Sequence, residues 1–436
     1  MTASENRQLT AEELLASPRG RSLVFTIASQ MPERIERELS ADDGPQTDAA
    51  RAYAEFNETT FIAAYLQDRA HGAAVVMYQG PDTTELEDDD ALPADVAEKL
   101  GHISPVSPTQ EDLEDALAEV ISGAMYWQPP HGGDLVAGAP EVRQALIPFA
   151  ETILATGLLD GWSRPLDRDN QWALAWDDSE DKGVLPAVYS ADPENPAALA
   201  EVSRDDMVAP FDPSSGVVMP QNLKGWLAWM LTAETDYRHD FAQDPFEEVS
   251  GEWWSIPPFG LWTSTDCWPK GTPIGVDLVE DDCGLERARA CRLEIRTEAR
   301  ICEIHAPDDW AELCRRYPLD VSAQRRYVWS EATGRKGRWV IPDWSRVTEE
   351  FDGVHVSLAG YLRTAGAVID LGDANFIEDS PSRPTAGDTD ERTASLMAGW
   401  NPDTTYWLGD VVTGIAEVAE WAYDDDADAW RQVPPR

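Results

Sequence analysis

Lysine, histidine and cysteine are scarce in this chain, and each shortage excludes a class of chemistry. Only 34 lysines and arginines face 81 aspartates and glutamates, which leaves a formal net charge of −47. A field of that sign repels nucleic-acid backbones and anionic membrane surfaces, so general nucleic-acid binding is disfavoured. Lysine numbers 5 against 29 arginines, a bias better ascribed to a GC-rich coding sequence than to phosphate contacts. The five cysteines, Cys267, Cys283, Cys291, Cys302 and Cys314, are odd in number and lack CxxC spacing. They read as reduced, mostly buried thiols, and neither a disulfide framework nor a zinc site is expected. The six histidines are scattered, so no Ser–His–Asp arrangement is legible.

Long apolar runs are missing too. Leu23 to Ala28 is interrupted by Thr26 and is too short for a secretory core. No run approaches the roughly 18 residues that cross a bilayer. The expectation is a cytoplasmic protein that uses no metal and no membrane. The nucleotide and hydrolase signatures are also absent: there is no GxGxxG after a strand, no GxxxxGK[ST], no HExxH and no GxSxG. Asp177–Lys182 is acidic but lacks the glycine and distal glutamate of a calcium loop.

What is present is folded matter. Hydrophobic residues make up 42% of the chain and tryptophan alone numbers 18. At 436 residues, two domains are the natural division. Residues 1–240 read as a helix-rich N-terminal domain, and the acidic segment Asp240–Ser250 as its boundary. Helical spacing runs through Ala49–Leu66, Glu111–Trp127, the segment from Pro140 to Gly157, and Trp226–Tyr237. Pro148 is expected to kink or split its helix. Short strands are expected at Ala73–Tyr78, Trp172–Trp176 and Leu185–Tyr189. Two acidic loops, Thr84–Asp90 and Asp177–Asp181, read as solvated.

Residues 250–412 change texture, to short, mainly antiparallel strands with a few short helices, so the chain as a whole is α+β. Pro307 starts one helix, whose stripe is Trp310, Leu313, Cys314 and Tyr317, and Pro318 ends it. Asp343 is placed to cap another, burying Trp344, Val347 and Phe351. Asp373–Glu391 reads as a long loop, and 413–436 as a C-terminal helix with an acidic tail. His355, within Val354-His355-Val356, is expected to be a satisfied structural residue, as are His305 and His131.

One region departs from the overall charge. From Leu285 to Arg346, 13 arginines and lysines face 10 acidic residues. Guanidinium groups there suit a pyrophosphate or an RNA backbone, or pair with the protein's own carboxylates.

A second feature is an ordered set of segments: Gly260-Leu261-Trp262-Thr263-Ser264-Thr265, Gly275–Asp282, Pro342-Asp343-Trp344 through Val356, and Gly399-Trp400-Asn401-Pro402-Asp403-Thr404-Thr405-Tyr406-Trp407-Leu408. The set resembles a loose group of uncharacterised bacterial and phage proteins similar to ADP-ribosyltransferases, over about 250–412. The resemblance implies an ADP-ribosyltransferase-like fold for that part. It implies NAD as substrate and a protein or nucleic-acid acceptor. Asp403 would be the catalytic carboxylate that steadies an oxocarbenium-like transition state. Trp262 would stack on the dinucleotide, and Ser264 and Thr265 would line it. Asp403 stands where the transferases usually carry glutamate. The His or Arg of their first core strand has no counterpart in Trp253-Trp254-Ser255 or Trp262–Thr265. The alternative is a non-catalytic acidic binding or regulatory protein that retains the fold.

Overall fold

The computed structural model describes residues 9–39, 48–71, 91–176, 222–249, 251–282, 284–372, 390–425 and 427–434. Its helices begin with α1 (Ala11–Ala16), α2 (Pro18–Leu39), α3 (Asp48–Ala70), α4 (Pro93–Leu100), α5 (Gln110–Ser122), α6 (Gly132–Gly138) and α7 (Pro140–Ala155). Then come β1 (Trp172–Trp176), α8 (Leu223–Asp240), β2 (Trp262–Ser264), α9 (Ile274–Asp277), β3 (Arg287–Ile295) and β4 (Ile301–Ile304). The chain continues through α10 (Pro307–Arg316), β5 (Pro318–Asp320), α11 (Ser322–Thr333), β6 (Gly337–Pro342), α12 (Trp344–Val347) and β7 (Gly353–Val356). It closes with α13 (Leu358–Thr364), β8 (Val368–Gly372), β9 (Asp390–Leu396), β10 (Thr405–Trp407), β11 (Val412–Asp424) and β12 (Ala429–Val433). The class is α+β. Among the described residues, no helix is long and apolar enough to cross a membrane.

Local chemistry explains most of these elements. Thr109 opens α5 with a reciprocal cap: its hydroxyl accepts from the Asp112 amide at 3.2 Å, and Asp112 accepts from the Thr109 amide at 2.7 Å. Leu113, Leu117, Val120 and Ile121 then share the buried stripe. Pro307 sits in the first turn of α10 with Asp308 and Asp309, while Arg315 and Arg316 close the last turn, as the helix dipole favours. Asp343 caps α12, accepting from the Ser345 amide at 3.1 Å. Pro148 lies inside α7, which remains one helix, because burial of Val142, Leu146, Phe149, Ala150 and Ile153 on one side outweighs the missing donor. The expected strand at Trp172–Trp176 is β1. The segments Ala73–Tyr78, Thr84–Asp90, Asp177–Asp181, Leu185–Tyr189 and 373–389 lie outside the described residues.

Three four-stranded sheets form, in the orders β1-β3-β11-β12, β2-β10-β7-β4 and β5-β6-β9-β8. Only β4–β7 and β6–β9 run parallel among the described pairs. Two expectations need correction. The described residues of 413–436 form no helix; they supply the β11–β12 hairpin. The segment is rich in Ala and Glu and so has helical propensity. The open edge of β3 nevertheless captures it in antiparallel pairing from Val412 to Ala422, and Ala419 and Trp421 are buried as a result.

The boundary at 240–250 is likewise no break in packing. β1, from the first half, pairs along its whole length with β3 of the second. Ser17 donates to the Leu362 carbonyl, and Arg363 pairs with Glu13 at 3.0 Å. One hydrophobic cluster runs from Leu14 to Leu408. In the second half it is built on a ring group of Trp310, Trp344, Trp400 and Tyr406, with neighbouring centroids 5.0–6.1 Å apart.

The close approach of α13 to β4 depends on Gly360, where a Cβ would run into the carbonyl oxygen of Ile304. Gly133, in α6, has nothing within 4 Å of that position. Gly360→Ala is therefore expected to lower stability by about 1–3 kcal/mol, whereas Gly133→Ala leaves it unchanged or slightly raised. Urea denaturation of the two variants beside the wild type checks the pair.

Candidate functional site

The sheet β2-β10-β7-β4 aligns four polar residues in one row. Ser264 lies opposite Thr405, Thr405 opposite His355, and His355 opposite Glu303. Directly opposed residues point to the same face, so the four side chains form a polar stripe across the sheet. The next row on that face is Trp262, Trp407, Gly353 and Ile301. A Cβ at Gly353 would meet the Trp407 ring at 3.1 Å and Ile301 at 3.2 Å, so glycine lets the indole lie flat across β7. The opposite face, with Tyr406, Val354 and Cys302, packs into the main core.

Asp403 precedes β10 in the left-handed region, with φ of 55°, a conformation that a short polar side chain tolerates better than most. From there its carboxylate accepts from the Asp266 amide at 2.7 Å and stands 3.5 Å from Nε2 of His355. Nδ1 of His355 lies 2.6 Å from Glu303. The ring is only 2% exposed. Burial opposes its charge, but hydrogen bonds to Asp403 and Glu303 outweigh that and hold its pKa at about 9. Burial likewise works against the Glu303 carboxylate, and the imidazolium overcomes it, leaving the pKa below the ordinary value. His305, 3.9 Å from the same carboxylate and bonded to Ser357 at 3.0 Å, is pushed down by burial.

The segment 163–171, between α7 and β1, lies across this stripe. The Leu166 amide donates to Glu303 at 3.1 Å, and Arg168 to the Ala299 carbonyl at 2.8 Å. Arg164 and Asn170 both reach Asp266. Gln171 accepts from the Ser264 hydroxyl at 2.7 Å, while that hydroxyl accepts from Nε1 of Trp407 at 2.8 Å. Thr265 accepts from the Gly275 amide at 3.1 Å. Trp262 packs beside a small cluster of Ala173, Leu293, Ala299, Trp407 and Val411.

The fold thus gathers Trp262, Ser264, Thr265 and Asp403 from distant segments onto neighbouring strands. It does not bring the basic stretch to them. Arg289 pairs with Glu420, Arg300 with Asp352, Arg316 with Glu350, Arg325 with Glu252 and Arg335 with Asp390. These guanidinium groups neutralise the protein's own carboxylates. Arg164, from outside that stretch, reaches Asp266, whose amide donates to Asp403. Glu303, Asp266, Arg164 and Gln171 carry no motif. Glu303 alone had a signal, a carboxylate inside the strand Ile301–Ile304, which a buried position permits only with a partner.

The thiols take no part: burial pushes Cys267, Cys302 and Cys314 up to about 12. Among the described residues, no group of three or more His, Cys, Asp or Glu side chains is placed to hold a metal ion. A second buried carboxyl lies apart from the stripe. Glu280 accepts from Tyr361 at 2.6 Å and Tyr126 at 3.2 Å, and burial raises it to about 8. No family model matches the chain, and neither does any curated protein or solved structure.

The two raised groups set distinct pH windows. Folded His355 holds its proton up to about 9 against an ordinary value of 6.5. Its contribution is therefore complete below pH 6.5 and is lost as pH rises to 9. Folded Glu280 holds a proton up to about 8 against 4.5, so stability also falls as pH rises between those values. His355→Gln is expected to flatten the upper part of the stability profile, above pH 8, and Glu280→Gln the part between 4.5 and 6.5. Urea midpoints measured from pH 4 to 9.5 separate the two, and parallel wild-type and variant curves would refute the assignment.

Proposed function

We propose that the protein is a non-catalytic binding or regulatory protein, in which the Ser264–Thr405–His355–Glu303 stripe is a structural clasp rather than a reaction centre. One observation carries this reading: the polar atoms a dinucleotide would need are already engaged by the chain itself. Ser264 is held between Gln171 and Trp407. Asp403 is held by the Asp266 amide and stands beside a protonated imidazole. A carboxylate that stabilises an oxocarbenium ion must present net negative charge to the ribose. Asp403 instead directs its carboxylate at the Asp266 amide and the His355 ring. Its carboxylate is also buried, as are Ser264 and Thr265.

A second reading has one observation in its favour. Ser264 pairs with Thr405 in the β2–β10 ladder, and Asp403, two residues before Thr405, is held by the Asp266 amide two residues after Ser264. The residues an ADP-ribosyltransferase-like unit acting on NAD would require therefore lie near one another. Under that reading the 163–171 segment would have to leave before NAD could enter, and the acceptor would be a protein or nucleic acid.

Nicotinamide release from NAD by the purified protein separates the two. No release and no NAD binding by calorimetry are expected from the wild type. Release that disappears in a folded Asp403→Asn variant would establish the transferase reading and remove the binding one.

A further inference from the structure

A cavity of about 720 Å³ lies between the N-terminal helices and the second half of the chain, well within the size range of small-molecule sites. Its walls come from the start of α2, from the segment Met125–Ala139, and from the C-terminal end of α11 and the Gly366–Val368 turn. None of the residues that line it belongs to the polar stripe of β2, β10, β7 and β4.

Part of the lining is apolar, with Met125, Tyr126, Pro129, Pro130, Leu135 and Val368. The charged part contains Arg19 and Arg21, with the carboxylates of Asp134 and Glu331. Arg19 is 5% exposed and pairs with Asp134 at 2.9 Å, but its Nε has no partner. Arg21 is the more telling group. Its hydrogen bonds go to the carbonyls of Ala16 at 2.7 Å and Leu15 at 3.4 Å, and its Nε has none. Among the described residues it forms no ion pair.

That isolation is unexpected on statistical grounds, because acidic side chains outnumber basic ones 81 to 34. The arginines of the 285–346 stretch mostly find carboxylates, while a half-buried guanidinium in a cavity wall does not. Burial, with the like charge of Arg143, presses its pKa down to about 10 against the opposing pull of Asp134. A cation held in this way is stabilised by any anion that enters. Two carbonyl contacts fix the fork beforehand, which lowers the entropy lost on pairing.

We propose that this cavity binds a small organic anion, an oxyanion carried on an apolar body, with Arg21 pairing with the oxyanion and Tyr126, Leu135 and Val368 against the body. This deepens the binding reading above by naming a ligand class and a place. It does not depend on whether the Asp403 region is silent, since the two sites share no residue.

The probe is phenyl phosphate, compared with inorganic phosphate and with neutral phenol, by titration calorimetry on the full chain. One-to-one binding of phenyl phosphate is expected, tighter than inorganic phosphate and much tighter than phenol. Arg21→Gln should weaken it at least tenfold. Ala367→Trp, which fills the cavity from the opposite wall and leaves the arginine in place, should abolish it. Arg51→Gln, on the exposed face of α3, should change nothing, and unfolding midpoints without ligand report whether each variant folds. Absence of phenyl phosphate binding would overturn the proposal. So would binding unchanged in both Arg21→Gln and Ala367→Trp. Equal affinity for phosphate and phenyl phosphate would overturn the apolar half of the site. Nicotinamide release bears only on the Asp403 reading, so failure of one proposal is distinguishable from failure of the other.

Discussion

The imidazolium of His355, clasped between Glu303 and Asp403 inside a four-stranded sheet, is the interaction on which the second half of the chain depends. A buried cation is tolerated only when it is paired and hydrogen-bonded on both sides. Each partner needs support in turn. Glu303 takes the Leu166 amide, Asp403 takes the Asp266 amide, and Asp266 takes Arg164 and Asn170. Satisfying one ring therefore requires the 163–171 segment to cross the sheet, which ties the helical half of the chain to the strands. β1 follows directly and completes the tie by pairing with β3.

The same logic governs the charge distribution. With a net charge of −47, the chain repels itself, and a compact fold needs its few cations where carboxylates crowd. The basic stretch from 285 to 346 answers that need across the β3–β11 pair, at the N-terminal ends of β4 and β7 and around α11. Neutralisation of this kind is a folding role and implies no phosphate ligand. Arg21 stands out against it, since among the described residues that guanidinium lines a cavity and forms no ion pair.

The legible and illegible parts of the structure divide by the range of the forces that set them. The stripes of α3, α5 and α10, the Thr109 and Asp343 caps and the Pro307 start were readable because side chains and backbone within one or two turns determine them. The short strands expected across 250–412 are present, while Ile274–Asp277 forms the short helix α9. The tail was misread because Ala-Glu-Val-Ala-Glu favours a helix locally, and only the free edge of β3 makes a strand the better partner. The alternative of self-pairing arginines was stated from the charge count, but no sequence feature says which carboxylate each one meets.

By itself the sequence determined the α+β class, the short elements and their buried faces, and the gathering of aromatic residues into a core. Those follow from periodicity, capping and hydrophobic burial, which act along the chain. Tertiary structure alone decided that His355 joins Glu303 to Asp403, that Gln171 closes Ser264, and that Arg21 lines a cavity. The first two of those contacts join residues from about 50 to 93 positions apart. Their energies depend on burial and on distances of a few ångströms, and neither quantity exists until the chain has folded.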